Sequence, residues 1–371
     1  MAGNMSMNNK SAPQVMCESP EDTPLETAWK TFSYSFIAFG SLLGNSFVII
    51  VIFKNRSMRS TINYFIVNMA SSDLLFTVFV IPRLISELYY EPGRWFVGGT
   101  FGSAVCKLDY FVQDISTAIS IVSLVAIAFD RLHGVVFPMK AGLMDEGKVC
   151  KMVLTGTWFI VCLLHLHYFF AYKLSRKNNG LYCSFDWSLV AAKTAFVIFS
   201  TTLFFLPAVT LVAVYTIIII RLWKKKIPGN QSERQKQRIA KRNRNVLQMI
   251  VAVVIVFICC WLPVNVSIYL LLFHWSADTP CYTKTLFYWV ILLAYSNGSI
   301  NPFLYFIFNE NFRQGFRKVF CHHKDGNIPG PLRSKSNSLT RRSRPDAGIH
   351  LGVLNAGRRE KTQTSRTALK K

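Results

Sequence analysis

Few ionisable or amide side chains interrupt the long apolar stretches of this chain, and those few could carry chemistry. Asp73 ends the run Asn68-Met69-Ala70-Ser71-Ser72-Asp73 in the middle of an apolar stretch, and Asn45, Asn297 and Asn301 interrupt two others. Hydrocarbon penalises buried charge, so such groups point to function. A carboxylate, amides and hydroxyls brought together can hold a small hard cation. They can equally form a structural hydrogen-bond network, and residue types alone leave both open. Asn301-Pro302-Phe303-Leu304-Tyr305 is more specific. Pro302 removes a backbone hydrogen bond and kinks its helix; Asn301 can satisfy a freed carbonyl, and rotation of the kink swings Tyr305. Cys260-Trp261-Leu262-Pro263 repeats the logic. Bent helices can store two arrangements of similar energy, as a switch requires, although a kink can also be merely structural. Asp130-Arg131-Leu132 closes another apolar run. Arg131 there is either a snorkelling arginine or half of a polar latch that opens when a partner inserts.

Enzyme chemistry finds no support. No Ser-His-Asp arrangement, glycine-rich phosphate loop or metal-spaced cluster emerges. His165 and His167 stand two apart on an expected helix and so fall on different faces. Cys321-His322-His323 reads as surface. No cofactor is expected beyond the small hard cation that the Asp73 cluster could hold.

The elements that position these residues follow from hydropathy. The chain has 371 residues, 51% hydrophobic and 16% charged. A soluble domain carries nearer a quarter charged residues. A membrane span needs about 20 mostly apolar residues, and spans are predicted at 30–53, 62–88, 104–130, 150–172, 191–222, 246–273 and 284–308. The expected fold is therefore an all-α membrane protein, a bundle of seven transmembrane helices with a short amphipathic eighth helix at 309–321. Phe312, Phe316, Val319 and Phe320 share one face of that helix, and Arg313, Arg317 and Lys318 are available to lipid phosphates. Residues 1–29 form an extracellular segment without a signal peptide, 30–308 the bundle, and 322–371 a disordered cytoplasmic tail.

The net charge of +23 does not indicate nucleic acid. Lys and Arg gather in alternate loops: Lys54 to Arg59, Arg131 to Lys151, Arg221 to Arg244, and the tail. Basic loops stay cytoplasmic, so the N-terminus lies outside, the tail inside, and the span number is odd. The expected location is the plasma membrane. Asn4 and Asn9 head glycosylation sequons, Cys321 is a palmitoylation candidate, and Ser334, Ser336, Ser338, Thr340 and Ser343 sit among basic residues as kinase sites for arrestin recruitment.

Taken together, these residues resemble the signature of the rhodopsin-like G-protein-coupled receptors across residues 30–321. The matches are Gly44-Asn45, Asp73, Cys106, Asp130-Arg131, Trp158, Pro207 with Tyr215, Phe257 with Trp261 and Pro263, and Asn301-Pro302 with Tyr305. The resemblance implies a ligand pocket open to the outside and a disulfide between Cys106 and Cys183. It also implies outward movement of the sixth span on agonist binding, with Arg131, Tyr215 and Tyr305 meeting at a cleft for a heterotrimeric G protein. Three positions depart from the pattern. Leu132 replaces a tyrosine. Gly298 replaces a serine, which removes one oxygen from a sodium site formed by Asp73, Ser120 and Asn297. Asn243 stands where some members carry an acid partner for Arg131, leaving the latch to Asp130.

Tyr295 occupies the position of the lysine that binds retinal, so the chain is not an opsin. Gln113 occupies the position of the aspartate of amine receptors. Asp114 follows it, rotated about 100° around the helix, and could act as a displaced counter-ion in an amine receptor. Gln113 instead resembles the neuropeptide Y, neuropeptide FF and orexin receptor group, as does Trp95-Phe96-Val97-Gly98. Leu174 to Phe185 reads as a β-hairpin with Asn179-Gly180 as its turn. The mouth carries Arg83, Lys193 and Lys284 against Glu87, Asp109, Asp114, Asp186 and Asp278. A short amidated neuropeptide is expected, its basic side chain pairing with Glu87, Asp109 or Asp186 and its amide near Gln113. Trp261, Ile268 and Tyr295 complete the ligand-facing set. Alternatively these acids pair with neighbouring bases. Cys17 and Cys281 could bridge the N-terminal segment to the third outside loop. A secondary transporter would show internal repeats and an even span number, and neither is seen.

Overall fold

The structure, a computed structural model, describes residues 22–137, 144, 147–177, 180–224, 233–275 and 280–320, with backbone alone for 224, 233–244 and 320. Seven helices among them are long and apolar enough to cross a membrane.

The first, α1 (Pro24–Lys54), begins earlier than hydropathy suggests. Thr23 and Glu26 form a capping box, and Pro24 takes the first turn, where no N–H donor is needed. α2 (Thr61–Tyr89) and α3 (Gly99–Val136) follow, the 38-residue α3 running through the centre of the bundle. The fifth span consists of α6 (Leu189–Ser200), a wide π turn at Thr201–Phe205, and α7 (Leu206–Lys224). Pro207 cannot donate to the carbonyl of Leu203, and the widened turn absorbs the lost bond. The sixth is α8 (Glu233–Tyr269) with Pro263 inside it, closed by a π turn at Leu270–His274. The seventh is α9 (Thr283–Phe308), which contains Pro302.

The fourth span departs from expectation. Instead of one helix over 150–172, α4 (Gly147–Leu164) stops and a separate turn, α5 (Tyr168–Ala171), follows. The bonds tighten from His165 N–H to Val161 O (3.2 Å) to Leu166 N–H to Leu163 O (3.3 Å), and the helix unwinds through 165–167.

The outer loops form a three-stranded antiparallel sheet in the order β1-β3-β2, from β1 (Arg94–Trp95), β2 (Tyr172–Lys177) and β3 (Gly180–Phe185). The expected Asn179-Gly180 turn is corrected by one residue: Gly180 lies on β3 and pairs with Lys177. β1, which hydropathy gave no reason to expect, adds through the pairs Arg94–Tyr182 and Trp95–Leu181.

The final helix, α10 (Glu310–Phe320), turns its apolar face onto the bundle. Phe312 is fully buried, and Phe316 meets Phe47 and Phe306 edge-on at 5.8 and 5.1 Å. Arg313 is exposed on this helix. Its Nη1 donates to the carbonyls of Phe306 (3.0 Å) and Ile307 (2.7 Å), two of the orphan acceptors at the end of α9.

A polar seam ties the spans together. Trp158 Nε1 donates to Asn68 Oδ1 (2.7 Å), and Asn68 Nδ2 donates to Ser123 Oγ (2.9 Å), joining α4, α2 and α3. Asn45 Nδ2 donates to Gly298 O at 3.1 Å, joining α1 to α9. Beside it Gly44 lets α1 approach the kink: a Cβ there would lie 2.8 Å from Pro302 Cγ.

Candidate functional site

A cavity of about 440 Å³ opens between the outer halves of the third, fourth, fifth, sixth and seventh spans. Of the residues expected to face a ligand, Gln113, Asp114, Trp261, Ile268 and Tyr295 line it. Trp261 forms the floor, with its ring centroid 6.2 Å from Tyr295 and 6.4 Å from Phe257.

The remaining expected residues stand elsewhere. Arg83 donates to Asp109, to Gln113 Oε1, and to Glu87 Oε1 at 3.0 Å. Its guanidinium also lies 4.4 Å from the Tyr110 ring centroid. Asp109 is 3% exposed, so this is a desolvated ion cluster, not a surface pair. The acids proposed to anchor a basic ligand group thus share a cation within the protein. Asp186, on the outer rim, pairs with Lys173. Lys284 and Lys30 both meet Asp22, at 3.4 and 2.6 Å. Burial acts to raise the Asp22 pKa, but the hydrogen bond and charge of Lys30, with Lys284 beyond, hold it below the ordinary carboxylate value. Lys193 Nζ sits 5.2 Å from the Phe273 ring centroid, within the ~6 Å reach of a cation–π contact.

Asp114 accepts a hydrogen bond from the Tyr168 hydroxyl. Tyr168 begins a column of parallel rings: Tyr168 to Tyr172 at 5.7 Å and Tyr172 to Tyr110 at 3.8 Å, ending under Arg83. His165 and His167 both line the cavity, their ring centroids 6.1 Å apart. The expectation of different faces fails because the helix has ended at Leu164 and periodicity no longer applies. Tyr168, Tyr172, Phe199 and Asn265 also line the cavity and were missed by sequence reasoning. The one signal for them was local: polar His165, His167 and Tyr168 crowd an otherwise apolar stretch.

Cys106 and Cys183 form a disulfide with Cα atoms 5.8 Å apart, pinning β3 to the top of α3. Cys281 is disulfide-bonded. Cys17, Asn4, Asn9, Asp278, Cys321 and the tail serines and threonine lie outside the described residues.

Beneath Trp261 lies a smaller cavity of about 20 Å³, lined by Asp73, Ser116, Ser120, Asn297 and Gly298. That exceeds the ~10–15 Å³ needed by one water-sized guest. Asn301 Nδ2 donates to Asp73 Oδ2 at 3.5 Å. The Oδ1 atoms of Asn297 and Asn301 find no hydrogen-bond partner among the described residues. The donor set of a carboxylate, a hydroxyl and unpartnered amide oxygens fits a hard cation.

At the end of the bundle opposite the large cavity Arg131 pairs with Asp130. Tyr215 is buried with its hydroxyl unpartnered among the described residues, and Tyr305 is buried with its ring 5.8 Å from Phe312. Met249, Ile250 and Val253 line a small cavity of about 10 Å³ beside Tyr305. The side chain of Asn243 lies outside the described residues.

A sequence profile of the family described as "7 transmembrane receptor (rhodopsin family)" matches residues 44–305. The QRFP-like peptide receptor of Branchiostoma floridae is 30% identical over 304 residues, covering 80% of this chain and 78% of that protein. Neuropeptide FF receptor 2 of Rattus norvegicus is 31% identical over 323 residues, covering 81% and 75%. The RYamide receptor of Drosophila melanogaster is 31% identical over 294 residues, covering 74% and 60%.

Proposed function

Because this chain belongs to the rhodopsin family of seven-transmembrane receptors, we propose that it is a plasma-membrane receptor for a short, amidated neuropeptide and activates a heterotrimeric G protein. It is a receptor and not an enzyme. The observation that carries the ligand class is the outer cavity of about 440 Å³ with Trp261 as its floor. It is deep enough for a peptide end, and the relatives reported above are named for peptides. Drug-sized ligands occupy cavities of roughly 300–1,000 Å³.

The N-terminus lies outside in this reading. The peptide end enters beside the β2–β3 hairpin and bears on Trp261. Trp261 packs on Phe257 one turn below it, and Pro263 separates them from the outer end of α8, which gives that pressure a lever. The cytoplasmic half of the sixth span swings outward, drawing Met249 and Ile250 from the packed inner end. Arg131 leaves Asp130, and Tyr215 and Tyr305 turn toward it. The unpartnered Tyr215 hydroxyl supports this, since an unsatisfied buried group favours any arrangement that gives it a partner. Asp73, Ser120 and Asn297 would hold a sodium ion in the closed state, supplying a positive charge against the Asp73 carboxylate. The phosphorylated tail serves receptor kinases and arrestin, and α10 lies against membrane lipid.

The test is a cell line carrying the full chain and a promiscuous G-protein reporter, screened with amidated peptides, biogenic amines and radiolabelled solutes. Peptide activation is expected. Activation by amines alone would replace this reading with an amine receptor using Asp114, and solute uptake would replace it with a transporter.

A further inference from the structure

The acids around the outer cavity do not carry equal free charge. Glu87 and Asp109 share Arg83, and Asp186 pairs with Lys173 on the rim. Asp114 differs. It lines the cavity, accepts one hydrogen bond from Tyr168, and among the described residues forms no ion pair with lysine or arginine. A carboxylate at this depth lacks the paired charge that offsets desolvation.

His165 and His167 line the same cavity, but among the described residues neither hydrogen-bonds Asp114. The Nδ1 atoms of His165 and His167 are turned to the carbonyls of Val161 and Leu164, at 2.7 and 3.1 Å. The other walls are aromatic: Tyr168, Tyr172, Phe199, Trp261 and Tyr295. Ring faces carry negative electrostatic potential and attract cations. A carboxylate among aromatic faces selects a positive group, and a guanidinium can both stack on rings and bond a carboxylate in its own plane.

Gln113 refines the picture. Its Oε1 already accepts from Arg83, so the group it keeps for the cavity is its amide NH₂, a donor. The α3 wall of the cavity thus offers, on adjacent residues, a neutral donor and an acceptor with negative charge.

Resting on the peptide-receptor reading, we propose that Asp114 is the seat of the ligand's cationic side chain, a guanidinium. Gln113 donates to a ligand carbonyl, and the Arg83–Glu87–Asp109 cluster holds α2 against α3 without binding the ligand's charge.

The full-length receptor, purified in detergent, is titrated with the dipeptide amide Arg-Phe-NH₂ and with its uncharged isostere citrulline-Phe-NH₂, and binding is read as thermal stabilisation. Wild type should prefer the arginine form by at least about thirtyfold, the low end for truncating one partner of a buried charge pair. Asp114→Asn should bring that ratio close to one. Asp114→Glu, which keeps the charge, should retain part of it and guards against a misfolded asparagine variant. Glu87→Gln should leave the ratio intact. Equal binding of the two dipeptides to wild type overturns the proposal, as does an arginine preference that survives Asp114→Asn or disappears in Glu87→Gln. No stabilisation of wild type by either dipeptide also overturns it. A peptide hit in the reporter screen would then leave the receptor reading standing without this seat.

Discussion

Replacing Arg83 with methionine removes the one cation that Asp109 and Glu87 share, and the consequence can be sized from the geometry. The Arg83 and Asp109 side chains are 9% and 5% exposed, so water cannot take over the lost partner. Breaking a buried pair by removing one member costs roughly 3–5 kcal/mol, against ~0–1 kcal/mol for an exposed pair. At about 1.3 °C per kcal/mol, from ~2.1 cal/mol/K per residue over 371 residues, the apparent Tm should fall by roughly 4–6 °C. The assay is thermal unfolding of the detergent-solubilised receptor, followed with a thiol-reactive dye as Cys150, Cys162 and Cys260 become exposed. Asp109→Leu added to Arg83→Met removes the stranded carboxylate and should recover much of the loss. The difference between the double variant and the sum of the singles then measures the coupling. A Tm within about 2 °C of wild type for Arg83→Met would refute the reasoning, because only a solvent-screened pair is that weak. The same result would return Glu87 and Asp109 to the list of residues free to receive a basic ligand group.

Other expectations follow from local geometry. Gly44→Val should separate α1 from the Pro302 kink and lower stability by about 1–3 kcal/mol, the usual cost of overpacking, seen as a reduced Tm and reduced surface expression. Asn68→Ala strands the half-buried indole N–H of Trp158, removes the donor to the Ser123 hydroxyl, and should cost about 1–3 kcal/mol by the same unfolding assay. Cys106→Ser opens a bridge spanning 77 residues, so amide exchange should rise across β2 and β3 while the helices below stay protected. The Asp22 carboxyl titrates below its ordinary value when folded, so its tie to Lys30 and Lys284 holds above the unfolded pKa of about 3.9 and is lost only as pH falls through the lower folded value. Amide exchange at the start of α1 and α9 should therefore be flat from pH 7 to about 5, whereas Asp22→Asn should raise it throughout that range.

What could be read from the sequence was whatever one span reports about itself. Twenty apolar residues define a helix, and Pro263 and Pro302 were visible inside two of them, whereas the Thr23–Glu26 capping box that starts α1 early and the wide turn before Pro207 were not read. What could not be read depends on two spans at once. Arg83 and Asp109 lie 26 residues apart on neighbouring helices, and only their relative rotation decides whether they meet. Rotation also decides that Gln113 turns its oxygen to Arg83 and that Asp114 turns toward Tyr168. His165 and His167 were misplaced because periodicity assumes a helix that has already unwound. β1 was invisible because two residues carry no alternating pattern; it exists only as a partner for β3.

Arg313 has a mechanical implication. Its guanidinium is bolted to the last carbonyls of α9, while Phe312 and Gly315 are seated in the bundle against the ends of α1 and α9. The seventh span and the surface helix after it therefore meet in a stiff elbow instead of a hinge. If the proposed switch twists α9 at Pro302, this corner would carry the twist into a sweep of α10, and the membrane against that helix would become a load on the motion.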